Sequence, residues 1–498
     1  MLLGAALRLY AISSVPTELV PDEIDLYNSA YSIATTGHDI DGSLEPFLYS
    51  RFTRNPPMYA LFAYASVAIF GRTPLGIRLP AAILGLVAVM LIYAIALELT
   101  RRRDIAMLAA LFQAILPIFV LFSRVGWEPA SELPFLLGGL FLLLRAYRRG
   151  ESVEPASLFA AAVLLGLTSY TYMAGWVYAV VLGGAIIALN YRRLASDGGK
   201  VAGAVALWLA LSAPALWMWF GDPSTFGKVQ SISTFGGGVS LATLETFARN
   251  YLAHLQWSYL VMTGDPRPGE TWRYLVGFGA FYWWVFPLTV AGLIANDLYV
   301  QARWARGWLW LWLLAYPLGG ALTDNAIPSA PRTLAGAPIF CMLSAIGFVA
   351  VVNALPQRTP QLVARWWRRL LCLALAACAA VSVAHFSVSY FTRYVHVYSN
   401  AWDSGTRALF AQIAAHTDSY RRICFSVRSA WYETGSYVRF YLPHTPLRVY
   451  DEITDPPCFR RGTLIAISDQ PLFRPGFLPV VRVVDVDGNP FATLYARR

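Results

Sequence analysis

The amino-acid sequence predicts a mainly α, polytopic membrane protein with about eleven transmembrane helices and a small C-terminal α/β domain outside the membrane. Three observations carry that expectation. Of 498 residues, 57% are hydrophobic and only 14% charged, with a mean hydropathy of +0.49, whereas an average soluble domain is nearer a quarter charged. Apolar stretches recur at 79–99, 201–220 and 333–352, each long enough at ~1.5 Å per residue to cross most of a ~30 Å hydrocarbon core. Basic residues gather in short clusters between such stretches: Arg101 to Arg103; Arg145, Arg148 and Arg149; Arg192, Arg193 and Lys200; Arg303 and Arg306; Arg358, Arg365, Arg368 and Arg369. Cytoplasmic loops carry an excess of Lys and Arg, so all five clusters are assigned to the cytoplasm. The net charge of +10 therefore reports orientation; no single polar face carries it, as a nucleic-acid surface would require.

The elements follow in order. With the clusters inside, spanning helices fall near 78–99, 105–122, 133–147, 156–171, 174–190, 201–220, 274–295, 307–323, 333–353 and 369–390. A helix at the N-terminus makes about eleven, which leaves the chain from about 391 outside. That helix runs only from Met1 to about Ile12 before Ser13, Ser14 and Pro16, too short to span, so the natural first helix is expected to begin upstream of Met1. It lacks the basic region and cleavage pattern of a secretory signal. The apolar run at 57–71 is also short, and counting it as a crossing would move Arg101 to Arg103 outside; it is read as a helix lying in or re-entering the outer interface. The expected domains are 1–390 in the membrane and 391–498 outside. In the second, Ile423 to Val427, Leu447 to Tyr450 and Leu464 to Ile467 read as strands, and Ser429 to Tyr441 reads as a helix. Val480 to Asp485 turns through Asp487-Gly488-Asn489 into Phe491 to Tyr495 as a hairpin. Of the five cysteines, Cys424 and Cys458 fall there, where an extracytoplasmic pair can form a disulfide. Cys341, Cys372 and Cys378 fall in predicted helices, as core or lipid-facing thiols.

The long first outer loop, 14–55, carries Glu18, Asp22, Glu23, Asp25, Asp39, Asp41 and Glu45 beside the membrane. A solvated acidic face is the plain reading of such a cluster. Asp22 and Glu23, however, follow Pro21 and open an amphipathic run, so they occupy a helix N-terminus, where the dipole favours an ionised carboxylate that can serve as a general base. The second outer loop, 123–132, holds Arg124, Glu128 and Glu132. Arg51, Arg54, Arg78, Arg124, Arg267, Arg273 and Arg332 lie in outer loops, where arginines either snorkel or grip a phosphate through paired hydrogen bonds; as a group they fit an anionic lipid substrate. The loop 221–273, with Asp265 and Arg267, reads as a proline- and glycine-rich connection. Tyr170, Tyr172 and Trp176 read as an aromatic belt.

Several patterns then coincide in order: PDEIDLYNSAYSIATTGHDIDG, NPPMYALFAYASVAIFG followed by GIRLPAAILG, SRVGWEPA, GDPRPGE and APRTLAGAPIF. Together they resemble membrane glycosyltransferases of the GT-C superfamily, most of all bacterial relatives of protein O-mannosyltransferases and of the lipid A aminoarabinose transferase. The resemblance implies the GT-C fold, with interfacial helices in the first outer loop. It also implies inverting transfer of a sugar from a polyprenyl-phosphate donor to an acceptor hydroxyl at the outer face of the cytoplasmic (inner) membrane. The acceptor class, whether lipid, protein or glycan, stays open. Asp22 and Glu23 match the acidic pair of the first loop, and Glu128 matches a second acidic position that is often aspartate in relatives. These three are the expected catalytic residues. Arg51, Arg54, Arg124, Asp39, Asp265, Arg267 and Arg332 are the expected substrate-binding residues. No nucleotide loop and no His/Cys cluster is seen; some relatives use a divalent cation, which makes Asp22, Glu23 and Glu128 a candidate cation set. The alternatives are a polyprenyl-lipid flippase or a non-catalytic assembly protein. A flippase predicts inverted repeats and mid-membrane charges, whereas the charges here lie at helix ends and in loops.

Overall fold

The structure is a computed structural model. It describes the chain except residues 41, 43–47, 51–52, 149–151, 265–274, 276, 356–358, 400–401, 427–433, 446, 451–454, 469–475 and 498; for 48–50, 53–54, 193–195, 224 and 434 only the backbone is described. The architecture is mainly helical, with one larger sheet near the C-terminus.

The chain opens with α1 (Leu2–Leu9) and enters α2 (Pro21–Thr36). A short hairpin, β1 (Leu48–Ser50) and β2 (Thr53–Asn55), leads into α3 (Met58–Phe70). At ~1.5 Å per residue α3 is only about 20 Å long, and it packs on α2 and on α4 (Pro74–Thr100). Then come α5 (Arg103–Ile115), α6 (Pro117–Phe122), α7 (Pro129–Ala146) and α8 (Pro155–Leu167). The single helix expected at 105–122 is broken: Pro117 lacks an N–H and pushes Leu116 to ψ 138°. Prolines open α2, α4, α6, α7 and α8, where a fixed φ suits the first helical position and the missing donor costs nothing. Next, α9 (Met173–Tyr178) passes through a π-helical turn at Ala179–Gly183 into α10 (Gly184–Leu189), followed by α11 (Leu194–Gly221).

The segment expected to be an irregular loop instead holds α12 (Pro223–Ile232) and α13 (Leu241–Ala253). Asp222 accepts a hydrogen bond from Thr225 N–H (2.8 Å) and Ser240 one from Thr243 N–H (3.2 Å), so each helix has a side-chain N-cap. After α14 (Val285–Ile294), helices follow at Arg303–Ala315, Pro338–Val352 and Gln361–Val388. Among the described residues, four helices are long and apolar enough to cross a membrane: Pro74–Thr100, Pro129–Ala146, Ser196–Gly221 and Gln361–Val397; Met58–Phe70, Pro155–Tyr170, Met173–Leu189, Val285–Ile294 and Pro338–Val352 are shorter apolar helices.

The C-terminal region forms a five-stranded sheet of β3 (Arg422–Ser426), β4 (Arg448–Tyr450), β5 (Thr463–Ile467), β6 (Leu478–Val484) and β7 (Pro490–Arg497), in the order β4-β3-β5-β7-β6. β3 pairs parallel with β4 and β5, while β7 pairs antiparallel with β5 and β6. A helix at Thr434–Tyr441 covers it; the earlier part of the helix expected from Ser429 lies outside the described residues. Cys424 and Cys458 are joined by a disulfide (S–S 1.99 Å, Cα–Cα 5.9 Å). The core of this domain is continuous with the first outer loop: Leu19, Ile24 and Tyr27 pack in one apolar cluster with Phe410, Ile423, Phe440 and Leu464.

Candidate active site

Asp22 and Glu23 occupy the first turn of α2. Glu23 is fully buried. Its Oε2 accepts from Val20 N–H (3.0 Å) and from Arg78 Nη2 (3.1 Å), and its Oε1 accepts from Arg78 Nε (2.9 Å) and Gly126 N–H (2.7 Å). An ionised carboxylate offers about four acceptor positions, so Glu23 is saturated by N–H donors. Arg78 is equally buried; it also donates to Pro16 O (2.7 Å) and to Glu18 O, and lies over the Trp402 ring. Sequence reasoning placed Glu23 among the proton-transfer carboxylates and Arg78 among the phosphate-gripping arginines. Each is instead the other's partner. Asp22 is half-buried.

The bond from Gly126 N–H to Glu23 draws the second outer loop against the first. Gly126 meets α4 closely: a Cβ there would stand 2.6 Å from Ile77 Cγ2 and 3.1 Å from the Tyr59 hydroxyl. Tyr59 in turn donates to Ile77 O (2.6 Å). Two residues beyond Gly126, Glu128 stands immediately before α7 and is buried. Between them Trp127 contacts Phe122 and Tyr172 (ring centroids 6.3 and 6.0 Å). Asp22, next to Glu23, and Glu128, two residues beyond Gly126, therefore flank one junction. The aromatic Tyr172, read as belt, stands on the Glu128 side of it.

Arg124 does not face an outer ligand. Its buried guanidinium donates to the carbonyls of Leu7 (2.9 Å), Arg8 (2.9 Å) and Val15 (2.7 Å) and lies over the Phe391 ring at 4.8 Å. Burial pushes its pKa down, and four neighbouring polar and aromatic groups hold it in place for a structural role. Arg332 is half-buried near the end of a short helix, Ala330–Thr333, and donates to Thr323 Oγ1 (2.7 Å) and Asn325 O. Behind it His254 is buried, and burial first, with the charge of Arg332 adding to it, holds its pKa down to about 4 against the opposing bond to Asn250. The neutral ring accepts from Ser329 N–H at Nε2 (2.9 Å) and donates from Nδ1 to Asn250 O (2.7 Å). Asp39 is buried in the turn after α2. Arg51, Asp265 and Arg267 lie outside the described residues, as does the side chain of Arg54, whose backbone pairs with Tyr49 in the β1–β2 hairpin. Among the described residues no group of three or more His, Cys, Asp or Glu is placed to hold a metal ion. Of the carboxylates expected as a cation set at Asp22, Glu23 and Glu128, Glu23 has its acceptor positions taken by Val20, Arg78 and Gly126.

Residues 54–219 match the family model described as dolichyl-phosphate-mannose-protein mannosyltransferase, a third of the chain that includes Arg78, Gly126 and Glu128 but not Asp22 or Glu23. No curated protein matches. Among solved structures, ArnT from Cupriavidus metallidurans bound to undecaprenyl phosphate is similar over 100% of this chain and 98% of its own, at 13% identity and a TM-score of 0.58. Its apo form gives a TM-score of 0.60, again at 13% identity, over 100% of this chain and 97% of that one. The oligosaccharyltransferase AglB from Archaeoglobus fulgidus, in complex with an inhibitory peptide and a dolichol-phosphate, is similar over 90% of this chain and 63% of its own, at 15% identity and a TM-score of 0.54. The chain thus carries the GT-C glycosyltransferase fold along its whole length, as its ordered motifs led us to expect.

Proposed function

We propose that the chain is an inverting glycosyltransferase that moves a hexosyl or pentosyl group from a polyprenyl-phosphate donor to an acceptor hydroxyl at the outer face of the cytoplasmic membrane. The observation that carries this reading is the division of labour between two neighbouring carboxylates. Glu23 is saturated by Val20, Arg78 and Gly126, whereas Asp22, on the same helix end, is half-buried. In this reading Asp22 takes the proton of the acceptor hydroxyl while that oxygen bonds to the anomeric carbon. The bond from the anomeric carbon to the phosphate oxygen breaks, and polyprenyl phosphate departs with the negative charge. Arg332, with Arg51, Arg54 and Arg267, are the arginines to meet that charge. Glu128, beside Trp127 and Tyr172, shapes the acceptor side. The fold supports the donor class: the ArnT structure is of a complex with undecaprenyl phosphate and the AglB structure of one with dolichol-phosphate.

Asp22→Asn keeps the shape of the side chain and removes its basicity. Purified full-length protein is incubated with a polyprenyl-phosphate sugar and release of polyprenyl phosphate is measured; the variant should lose about 10²–10⁴-fold in rate with its melting temperature unchanged. An unchanged rate would remove Asp22 from the role of base. A wild-type protein that moves the donor across liposomes without releasing polyprenyl phosphate would instead be a flippase.

A further inference from the structure

The helix α13 carries an amphipathic pattern opposite to that of a water-exposed loop. Residues 241, 244, 248 and 252 recur at helical spacing on one face, and there Leu241, Leu244 and Leu252 are 83%, 49% and 61% exposed, with Leu255 just past the helix end at 40%. Asn250 and His254, on the opposite face, are buried and tied to the body of the protein, and Tyr251, beside Leu244 on the edge of the stripe, is tied to it as well. Asn250 donates to Thr323 O (2.8 Å), Tyr251 to Leu314 O (2.6 Å), and buried His254 accepts from Ser329 N–H. Gly320 gives the room: a Cβ there would collide with the His254 ring. The apolar stripe is therefore outward by construction, because the hydrogen bonds of the inner face set the helix's rotation.

We infer that α13 lies in the outer leaflet of the bilayer, its leucine stripe buried in acyl chains and its inner face bracing the 320–329 segment that leads to Arg332. Continuity with the lipid-facing belt selects this occupant. α11, an apolar candidate span, ends at Gly221 with Trp217 and Phe220 exposed, and Trp257 and Met262 are exposed directly after α13. Exposed aromatic and apolar side chains of the kind that favour the interface thus stand at the end of α11, before α12, and again after α13. The stripe is bordered by Glu245 and Arg249, one charge of each sign, so acyl burial rather than headgroup charge drives the contact. This inference does not depend on the chemistry proposed above.

Nitroxide accessibility tests it in full-length protein reconstituted in phosphatidylcholine liposomes, with Cys372→Ser and Cys378→Ser removing the accessible native thiols. Labels are placed one at a time through Leu244→Cys, Leu252→Cys and Arg249→Cys. Collisions with oxygen relative to a water-soluble nickel chelate should be several-fold higher at 244 and 252 than at 249, and unaltered when anionic lipid is added. Equal chelate accessibility at all three positions would overturn the proposal by placing the stripe in water. So would spin–spin broadening at 244 that disappears on dilution with unlabelled protein, which would make the stripe a contact between two copies.

Discussion

Glu23 and Arg78 form an ion pair with no exposure on either side chain, and the pair joins the first outer loop to the start of α4. Such a pair is weak as a net source of stability but costly to break from one side, about 3–5 kcal/mol, because the other charge is left buried. Arg78→Ala should therefore lower stability by about that much, read as a drop in melting temperature in detergent. Arg78→Ala with Glu23→Gln, which removes the stranded charge, should recover part of the loss; additive losses would mean that the two do not act as a pair. Glu18, in the same loop, is 7% exposed and contacts Arg407 of the C-terminal domain. Burial raises its pKa from 4.5 to about 7, against the pull of Arg407 and Arg78 and with Asp403 adding to the rise. A carboxyl whose folded pKa is raised gives stability that is fully present below its unfolded value and is lost as pH rises through the folded one. Melting temperature should thus fall between about pH 4.5 and pH 7 in the native protein, and Glu18→Gln should flatten that slope. A slope unchanged by the substitution would assign it to other groups. Neither partnership was legible from sequence spacing: Glu23 and Arg78 are 55 residues apart, and an acidic residue looks the same whether it serves a base's role or a bracket's.

At the scale of elements, the clearest constraint lies where α14 crosses the Pro338–Val352 helix. A Cβ on Gly292 would collide with Leu343 O, and one on Gly347 with Leu288 O, so backbone meets backbone, as small residues allow inside membranes. Gly292→Ala should cost at least the ~1–3 kcal/mol typical of overpacking and reduce the yield of folded protein in detergent chromatography. Gly184→Ala, where a Cβ meets nothing within 4 Å, is the control and should behave as wild type. Apolar lengths and the helix start at Pro21 were readable along the chain, and the strands of the C-terminal sheet fall within a residue or two of expectation. Several elements were misjudged: the helix expected at 105–122, the helix expected at 274–295, which begins only at Val285, and the segment that holds α12 and α13. Pro117 breaks the helix expected at 105–122, a signal present in the sequence and outweighed by the length of the apolar run. α13 was hidden because Leu241, Leu244 and Leu252 face outward while Asn250 and, just past its end, His254 are buried, so the pattern reads as composition without a core.

At the scale of the whole molecule, the C-terminal domain and the first outer loop share one core. Asn28 donates to Ser436 O (2.8 Å), Arg72 to Arg439 O (2.9 Å), and Tyr27 meets Phe440 edge-on with ring centroids 5.4 Å apart. The helix that carries Asp22 is thus held from the domain side as well as from the membrane side. The Cys424–Cys458 disulfide spans 34 residues and ties β3 to the turn before β5, a loop whose closure is worth ~4 kcal/mol in the chain-entropy account. Cys424→Ala with Cys458→Ala should lower the melting temperature and speed proteolysis of the C-terminal domain. A reduced native protein that melts as the oxidised one does would mean that the cross-link adds no stability.

What the sequence by itself determined is the solvent: apolar lengths are local, additive properties that a bilayer reads one segment at a time. Five motifs in order likewise pointed to the GT-C fold. Only the tertiary structure decided which of two adjacent carboxylates is spent on the scaffold, that Arg124 serves backbone carbonyls, and that the C-terminal domain is built onto α2. These are matters of which donor reaches which acceptor across tens to hundreds of residues, and hydrogen bonds between distant segments leave no period or spacing to read.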